Sequence, residues 1–185
     1  YGKGDSFNDL EIGIRVHYDE EDRFQWEDNY SMIAGIMVLK SLGSKGDQGN
    51  RISSANALSS YIMYRYKNKG FTLTPGLRFE SINLDRHDYG KSNSLRDESN
   101  LSTRENNVSA LIPGVGMNYT FNRNFSVFWG IHRGFSPPGN STGQSPENST
   151  NMELGARFSV NKIRGEFILY QNNYKNLLGS DLAAS

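Results

Sequence analysis

The residues at positions 10–19 read LEIGIRVHYD, and every second side chain in this stretch is apolar. Successive side chains of a β-strand point to opposite faces, so the stretch predicts a strand with one apolar and one polar face. In a helix the same apolar side chains would be scattered around the whole circumference. This stretch therefore decides the fold class in favour of β-structure.

The same alternation recurs along the rest of the chain. Six further segments share it, three of them in a weaker form: 58–66, 71–80, 108–121, 125–132, 152–159 and 165–173. No segment has a convincing helical period. The sequence predicts an all-β protein of about seven antiparallel, up-and-down strands.

The connections between these strands are alternately short and long. Tight turns are predicted at 67–70, 122–124 and 161–164, where Asn and Gly supply the turn geometry. The other connections, about 20–54, 88–107 and 136–149, are long and polar. Tight turns at one end of a sheet and long loops at the other are typical of outer-membrane barrels.

Strand length and aromatic placement also favour a membrane barrel. The alternating segments run for about nine to ten residues or more, which matches a tilted membrane strand, whereas soluble strands average about five to six. Aromatic residues flank two of the tight turns: Tyr64, Tyr66, Phe71, Tyr119, Phe121 and Phe125. The sequence thus predicts seven strands of a larger transmembrane β-barrel, whose apolar phase faces lipid and whose polar phase faces a wet lumen.

Two prolines interrupt the predicted strands. Pro75 and Pro113 lie within alternating segments, and each removes a donor from the hydrogen-bond ladder. We expect a bulge or a strand end at each of them, and the adjacent Gly76 and Gly114 fit a bulge.

Composition excludes several classes of function. The 185 residues include 20 Lys+Arg, 20 Asp+Glu and no Cys. The balanced charge gives no field that would gather nucleic acid, and the lack of thiols excludes disulfides and thiolate metal sites. His17, His87 and His132 are far apart in the sequence and do not suggest a metal site. No catalytic constellation is evident, so we expect a protein that is not an enzyme and has no cofactor.

Residues 132–158 resemble a known family. The runs HRGFSPPG at 132–139, SPENS at 145–149 and NMELGARF at 151–158 are similar to TonB-dependent outer-membrane receptors. In that family a strand ends in Gly-Phe-x-x-Pro, a Pro-Glu loop follows, and the next strand opens with Asn-x-Glu-Leu-Gly. PGLRFE at 75–80 and PGVG at 113–116 resemble the ferric-dicitrate type of receptor.

The resemblance implies a barrel of 22 strands with an N-terminal plug domain in the bacterial outer membrane. Residues 1–185 would form part of the barrel wall, without the plug and the remaining strands. Such a receptor binds an iron chelate, ferric citrate or a siderophore, and transports it into the periplasm with energy from the TonB complex, which acts through the plug. The iron arrives already chelated as the transported ligand, and the expected surroundings are outer-membrane lipid, with no nucleic acid.

Basic residues near the predicted loop ends are the candidate ligand site. Arginine presents forked donors that match the carboxylates of a chelate such as citrate. The candidates are Arg133, His132, Arg104, Arg86 and Arg51. Arg133 ranks first because it lies where a strand meets an extracellular loop. Pairing of such arginines with nearby carboxylates is the alternative.

Polar residues in the lumen-facing phase are expected to contact the plug or water. They are Arg15, Arg78, Glu80, Glu153 and Arg157. Two other interpretations stay open: a soluble β-sandwich that serves as a binding module of a surface protein, and a plain porin or adhesin barrel. Strand length and one-sided long loops argue against the sandwich, and the 132–158 motif argues against the porin.

Overall fold

The computed structural model describes residues 6–139 and 143–177. This part of the chain is almost entirely β-structure, as the alternation predicts. Its strands are β1 (Ser6–Gln25), β2 (Asn29–Ile33), β3 (Ile36–Ser41), β4 (Gly49–Asn68), β5 (Phe71–Asp88), β6 (Ser102–Asn122), β7 (Phe125–Ser136), β8 (Glu147–Val160) and β9 (Ile163–Lys175). A turn of 3-10 helix spans Glu98–Asn100. Among the described residues, no helix has both the length and the apolarity needed to cross a membrane.

Seven of these strands form one antiparallel sheet in the order β1-β4-β5-β6-β7-β8-β9, which confirms the predicted up-and-down arrangement. Within the described part of the chain, β2 and β3 pair only with each other, as a hairpin in the connection between β1 and β4. The sequence predicts only a long loop there. Apolar side chains occupy both faces of the hairpin, so its strands lack the period of two that reveals the others.

The first two strands of the sheet are longer than predicted. β1 and β4 have 20 residues each and pair from Ser6–Asn68 to Gln25–Gly49. At about 3.4 Å per residue the pair extends for roughly 65 Å. We call the part of the sheet level with the alternating stretch 10–18 of β1 the apolar band. Residues 20–25 continue the strand without apolar side chains at every second position, so the β1–β4 pair extends beyond this band.

Register aligns the apolar side chains of neighbouring strands on one face. Ile12 stands opposite Ile62, and Ile62 stands opposite Leu77. Residues directly opposite each other in antiparallel strands point to the same side of the sheet. These side chains are 65%, 45% and 40% exposed, because no second layer covers this apolar face. Among the described residues only Leu84 and Ala110 are buried hydrophobics, so the sheet lacks the core of a soluble sandwich.

The three tight turns are confirmed at the predicted places. Lys69-Gly70, Arg123-Asn124 and Asn161-Lys162 each join two paired strands. A bulge next to the second turn leaves Phe121 without a partner in β7. We call the ends of the strands that these turns join the turn end of the sheet, and the opposite ends of the strands the loop end.

The opposite face of the sheet is polar and glycine-bearing. A Cβ on Gly13 would lie 2.2 Å from the ring of Tyr61, whose hydroxyl donates a hydrogen bond of 2.6 Å to Glu11. A Cβ on Gly155 would meet the ring of Phe128 at the same distance. Both glycines therefore allow an aromatic ring to lie flat against the neighbouring strand.

The prolines are accommodated differently from the prediction. No register shift occurs at Pro75 or Pro113 in the continuous β5–β6 ladder, so the expected bulges are wrong. The expected strand ends are wrong as well, because both prolines lie inside their strands. At Pro75 the β4–β5 ladder instead lapses between Met63–Gly76 and Tyr66–Leu73, without an extra residue. At Pro113 the β6–β7 ladder stops, with Gly114–His132 as its last pair. Each proline thus places its missing donor where a ladder is interrupted.

The end of the β6–β7 ladder divides the sheet at the loop end. Beyond Gly114, β6 continues to Ser102 paired with β5 alone, and the last residues of β7 pair with β8 alone. Asn106 bridges the resulting gap: its Nδ2 donates to the carbonyl oxygens of Gly139 at 3.3 Å and Gln144 at 3.2 Å. The division is therefore held by side-chain hydrogen bonds to the β7–β8 connection.

Candidate ligand-binding site

Four arginines lie side by side on the polar face at the loop end. We call them the arginine row: Arg23 of β1, Arg51 of β4, Arg86 of β5 and Arg104 of β6. Arg23 stands directly opposite Arg51, and Arg86 stands directly opposite Arg104. Like charges in directly opposed positions destabilise a sheet. Two such pairs on one face therefore concentrate positive charge at a cost to the fold.

Neighbouring side chains neutralise this charge only in part. Glu21 lies 3.7 Å from Arg51, and Asp88 lies 2.6 Å from Arg86. Arg23 donates to the neutral amide of Gln25 at 2.6 Å. Among the described residues Arg104 is exposed and forms no salt bridge. The row therefore retains a net positive charge.

The arginines of the row lower the pKa of the Asp88 carboxyl, which lies beyond the apolar band. A hydrogen bond from Arg86 lowers the pKa of this carboxyl, and partial burial opposes the shift. The backbone N–H of Gly90 and the positive charge of Arg104 lower the pKa further. Asp88 therefore stays ionised and orients Arg86 in the row.

A polar pocket of about 240 Å³ opens beside the centre of the row. Arg51, Arg86, Asp88 and Lys91 line it together with residues 46–50 and Gly90. Two buried polar atoms of its lining residues, Nε of Arg86 and Oδ1 of Asp47, have no hydrogen-bond partner among the described residues. Buried polar atoms are nearly always paired in folded proteins, so the lining residues hold one unused donor and one unused acceptor.

A buried asparagine fixes the wall of this pocket. Asn50 is 3% exposed and donates to the carbonyl oxygens of Gly90 at 3.1 Å and Asn93 at 2.8 Å. Its Oδ1 accepts a hydrogen bond of 2.9 Å from Arg96. One side chain of β4 thus attaches the β5–β6 connection to the rim of the sheet.

Arg96 completes this attachment and is not part of the open row. Its guanidinium lies 5.0 Å from the ring centre of Phe24 and 5.5 Å from that of Tyr89. It also donates to both carboxylate oxygens of Asp22, which lies beyond the apolar band. The hydrogen bonds from Arg96 lower the pKa of Asp22. All three guanidinium nitrogens of Arg96 are therefore engaged within the loop end.

The structure separates the predicted site residues into two groups. Arg51, Arg86 and Arg104 come together in the row, but His132 and Arg133 lie elsewhere. His132 is on the polar face of β7 opposite Gly114, and its Nε2 is 3.1 Å from Nδ2 of Asn151. Ten residues of β6, about 34 Å, separate Gly114 from Arg104. Arg133 lies on the apolar face of β7 together with Ile131. The ligand roles of His132 and Arg133 stay predictions.

Sequence reasoning missed Arg23, Asp47 and Lys91. Arg23 directly follows the acidic run 19–22, which suggests a solvated loop. The polar phase that begins at Glu11 continues in steps of two to Arg23, and this signal could have found it. Asp47 and Lys91 lie in the connections, where no strand period fixes their position.

The residues expected to face the lumen all lie on the polar face. They are Arg15, Arg78, Glu80, Glu153 and Arg157. Glu80, 6% exposed, contacts Arg78 and accepts a hydrogen bond from Ser59. Arg157 lies 3.1 Å from Glu166 and stacks over Phe128 at 4.1 Å. Across the described residues no three His, Cys, Asp or Glu side chains gather in a way that could hold a metal ion.

The sequence and fold now place the chain in a family. Residues 2–185 match the family described as TonB dependent receptor-like, beta-barrel, and the chain belongs to this family. The comparison with curated proteins finds no match.

Two solved structures share the fold of this chain. The first is the unliganded ferric citrate transporter FecA, with a TM-score of 0.73, 17% identity, and coverage of 98% of this chain and 26% of the transporter. The second is the siderophore receptor PiuA from Acinetobacter baumannii, with a TM-score of 0.67, 12% identity, and coverage of 92% and 29%. The chain thus spans little more than a quarter of either protein, and the resemblance to a receptor barrel is shown for the fold.

Proposed function

We propose that this chain forms part of the wall and rim of an outer-membrane receptor that binds an anionic iron chelate at the arginine row. The observation that carries the proposal is the placement of four arginines on adjacent strands with two directly opposed pairs. A fold accepts such repulsion where a bound anion offsets it. A polycarboxylate chelate of iron supplies several oxygen acceptors for forked guanidinium donors.

The unused groups of the pocket support the same ligand chemistry. The guanidinium of Arg86, whose buried Nε has no partner among the described residues, would donate to a carboxylate, and Lys91 adds a second cation to the lining. The carboxylate of Asp47, whose buried Oδ1 has no partner among them either, would accept a hydrogen bond from a hydroxyl group. Citrate and hydroxycarboxylate siderophores carry both kinds of group. The two similar structures, a ferric citrate transporter and a siderophore receptor, indicate which chelates to test first.

The proposal extends to location and energy supply. The exposed apolar face would contact outer-membrane lipid, and the polar face would line a lumen occupied by a plug domain that lies outside this chain. The TonB complex would act on that plug to release the chelate into the periplasm. Family membership supports this part of the proposal.

Replacement of Arg104 by Gln tests the site in the full-length receptor. Arg104 has no salt bridge among the described residues, so its loss does not leave a carboxylate unpaired. A hydrogen bond to a charged group is worth about 1.5–3 kcal/mol, so we expect the Kd for ferric citrate to rise about tenfold to a hundredfold. The measurement is calorimetric titration of the purified receptor. Lys40→Gln, an exposed cation of the β2–β3 hairpin, is the matched control.

Equal affinities of Arg104→Gln and the unchanged receptor would contradict the assignment of the row. Uptake of radioactive ferric citrate by cells, with and without proton-motive force, tests the transport step. Conduction of small solutes without any chelate and without energy would instead identify a porin.

A further inference from the structure

The turn end of the sheet is strongly basic although the whole chain has no net charge. We define this patch as the described residues near the three tight turns: 6–10, 64–75, 118–129 and 156–167. Its cations are Arg65, Lys67, Lys69, Arg123, Arg157, Lys162 and Arg164, and its acids are Asp9 and Glu166. Because the full sequence balances 20 cations against 20 acids, the rest of the chain carries the acidic excess.

The two acids leave most of the basic patch uncompensated. Asp9 lies 3.8 Å from Arg65, and Glu166 lies 3.1 Å from Arg157. In the part of the chain that the structure describes, the other five cations form no salt bridge. All seven side chains are exposed. The patch therefore presents a positive field to whatever lies beyond the turns.

The cations share the polar face or occupy the turns themselves. Arg65 stands opposite Asp9 and Arg157 opposite Ser126, both in the polar phase. The other face at the same height carries aromatic side chains: Tyr64, Tyr66, Phe71, Tyr119, Phe125 and Phe158. An aromatic band is the side that meets lipid headgroups, so the cations point away from a membrane that surrounds the sheet.

Turn geometry does not explain the lysine at the first turn. Lys69 has a φ of 52°, a left-handed conformation that Gly and Asn adopt far more readily. A lysine there carries a conformational cost without any partner for its charge among the described residues.

A cleft of about 540 Å³ lies between the second and third turns. Arg123, Arg157 and Arg164 line it, together with the acidic Glu166.

We infer that the basic patch is a docking surface for an acidic segment of a protein that approaches the barrel from the periplasmic side. The cations of the patch span β4 to β9, which is five strand spacings or about 24 Å. This span fits an extended acidic peptide, whereas a small anion would contact one turn only. The direction of approach rests on the proposed function, because the short turns of outer-membrane barrels face the periplasm.

The test uses the full-length receptor in phosphatidylcholine nanodiscs and a fluorescent oligoglutamate of about eight residues, long enough to span the patch. Fluorescence anisotropy should show binding that weakens between low salt and about 0.15 M salt. The Lys69→Glu, Lys162→Glu double variant should raise the Kd about tenfold or more. The Lys40→Glu, Lys45→Glu double variant makes the same change of charge at the loop end and should leave the Kd within about threefold.

Several results would overturn the inference. They are no binding to the unchanged receptor, equal weakening in both double variants, and equal affinity for triglutamate, which would show a site for small anions. Loss of peptide binding when phosphatidylglycerol replaces phosphatidylcholine would assign the patch to lipid headgroups instead.

Ferric citrate binding, measured on the same samples, should be unchanged in the Lys69→Glu, Lys162→Glu double variant. Failure of chelate binding to the unchanged receptor would refute the proposed ligand and leave the peptide result intact.

Discussion

Three polar side chains are buried more deeply than the buried hydrophobic residues of the described sheet. Asn50 is 3% exposed, and Glu80 and Asn106 are 6% exposed, against 9% for Leu84 and 8% for Ala110. In most folded proteins such positions hold apolar side chains. Asn50 and Asn106 attach the long connections to the sheet by hydrogen bonds, whereas Glu80 contacts Ser59 and Arg78 within the sheet. Two asparagines therefore order the loop end.

Replacement of Asn50 by Leu should release the β5–β6 connection. The change leaves the carbonyl oxygens of Gly90 and Asn93 without their donor, which costs about 1–3 kcal/mol of local stability. Hydrogen exchange in the full-length receptor, followed by mass spectrometry, should show faster exchange across residues 89–101. Asn172→Leu, at an exposed position of β9, should change little. Unchanged protection of the connection in Asn50→Leu would contradict this account.

The alternation of side chains along each strand determines which residues lie on the apolar face of the sheet and which lie on the polar face. This alternation is the part of the fold that the sequence predicts. Ile14 stands in the middle of the apolar band of β1 and is 76% exposed. His17 belongs to the polar phase of the same strand, opposite Ala57. A pair of substitutions on one strand therefore tests the assignment of both faces.

Arginine at Ile14 should impair folding of the full-length receptor into a bilayer. A cation on the lipid face near the midplane costs about 2–4 kcal/mol, whereas a cation facing the lumen does not meet lipid. His17→Arg is the matched control and should fold like the unchanged receptor. The measurement is the folded fraction as a function of urea, read from heat-dependent gel mobility. Equal behaviour of the two variants would show that the face assignment is wrong.

Periodic elements were predictable, and elements without a period were not. Residues 10–19 indicate β1 because alternate side chains meet different surroundings, but the β2–β3 hairpin is apolar on both faces and has no such signal. The prediction made from the prolines was also wrong. Pro75 suggests a bulge, and the structure instead interrupts one ladder and keeps the register.

The candidate site was predictable in its chemistry and only partly in its members. Arg51, Arg86 and Arg104 were expected near loop ends, and the register of three strands brings them together. Arg133 has the same side chain and a similar place in the sequence, but it lies on the other face of β7. The apolar phase of β7 runs in steps of two from Phe125 through Ile131 to Arg133, so continuing this count would have placed Arg133 on the apolar face.

At the scale of the whole molecule, the described sheet is an open wall without a second layer. β1 and β9 each have one edge with no partner strand among the described residues. Unpaired edges and an uncovered apolar face are unfavourable in water, and unpaired backbone groups are costlier in lipid. The structure is therefore consistent with one section of a larger closed barrel.

The 185-residue chain expressed alone should fail to form a stable membrane protein. Without neighbours for β1 and β9, the edge groups have no partners in a bilayer. We expect aggregation, or little β-structure in detergent micelles by circular dichroism, while the full-length receptor gives a resistant β-signal. A monomeric chain that folds without detergent would instead favour the soluble binding module.

The interrupted ladder at Pro113 has a mechanical consequence. Beyond Gly114 toward the loop end, the described sheet consists of two parts, one ending at β6 and the other beginning at β7, with no β6–β7 backbone pairing among the described residues. Two hydrogen bonds from Asn106 cross this gap, so a hinge motion here strains two side-chain contacts and no backbone ladder. Between continuously paired strands the same motion would break ladder hydrogen bonds, so we expect the loop end to bend most readily between β6 and β7.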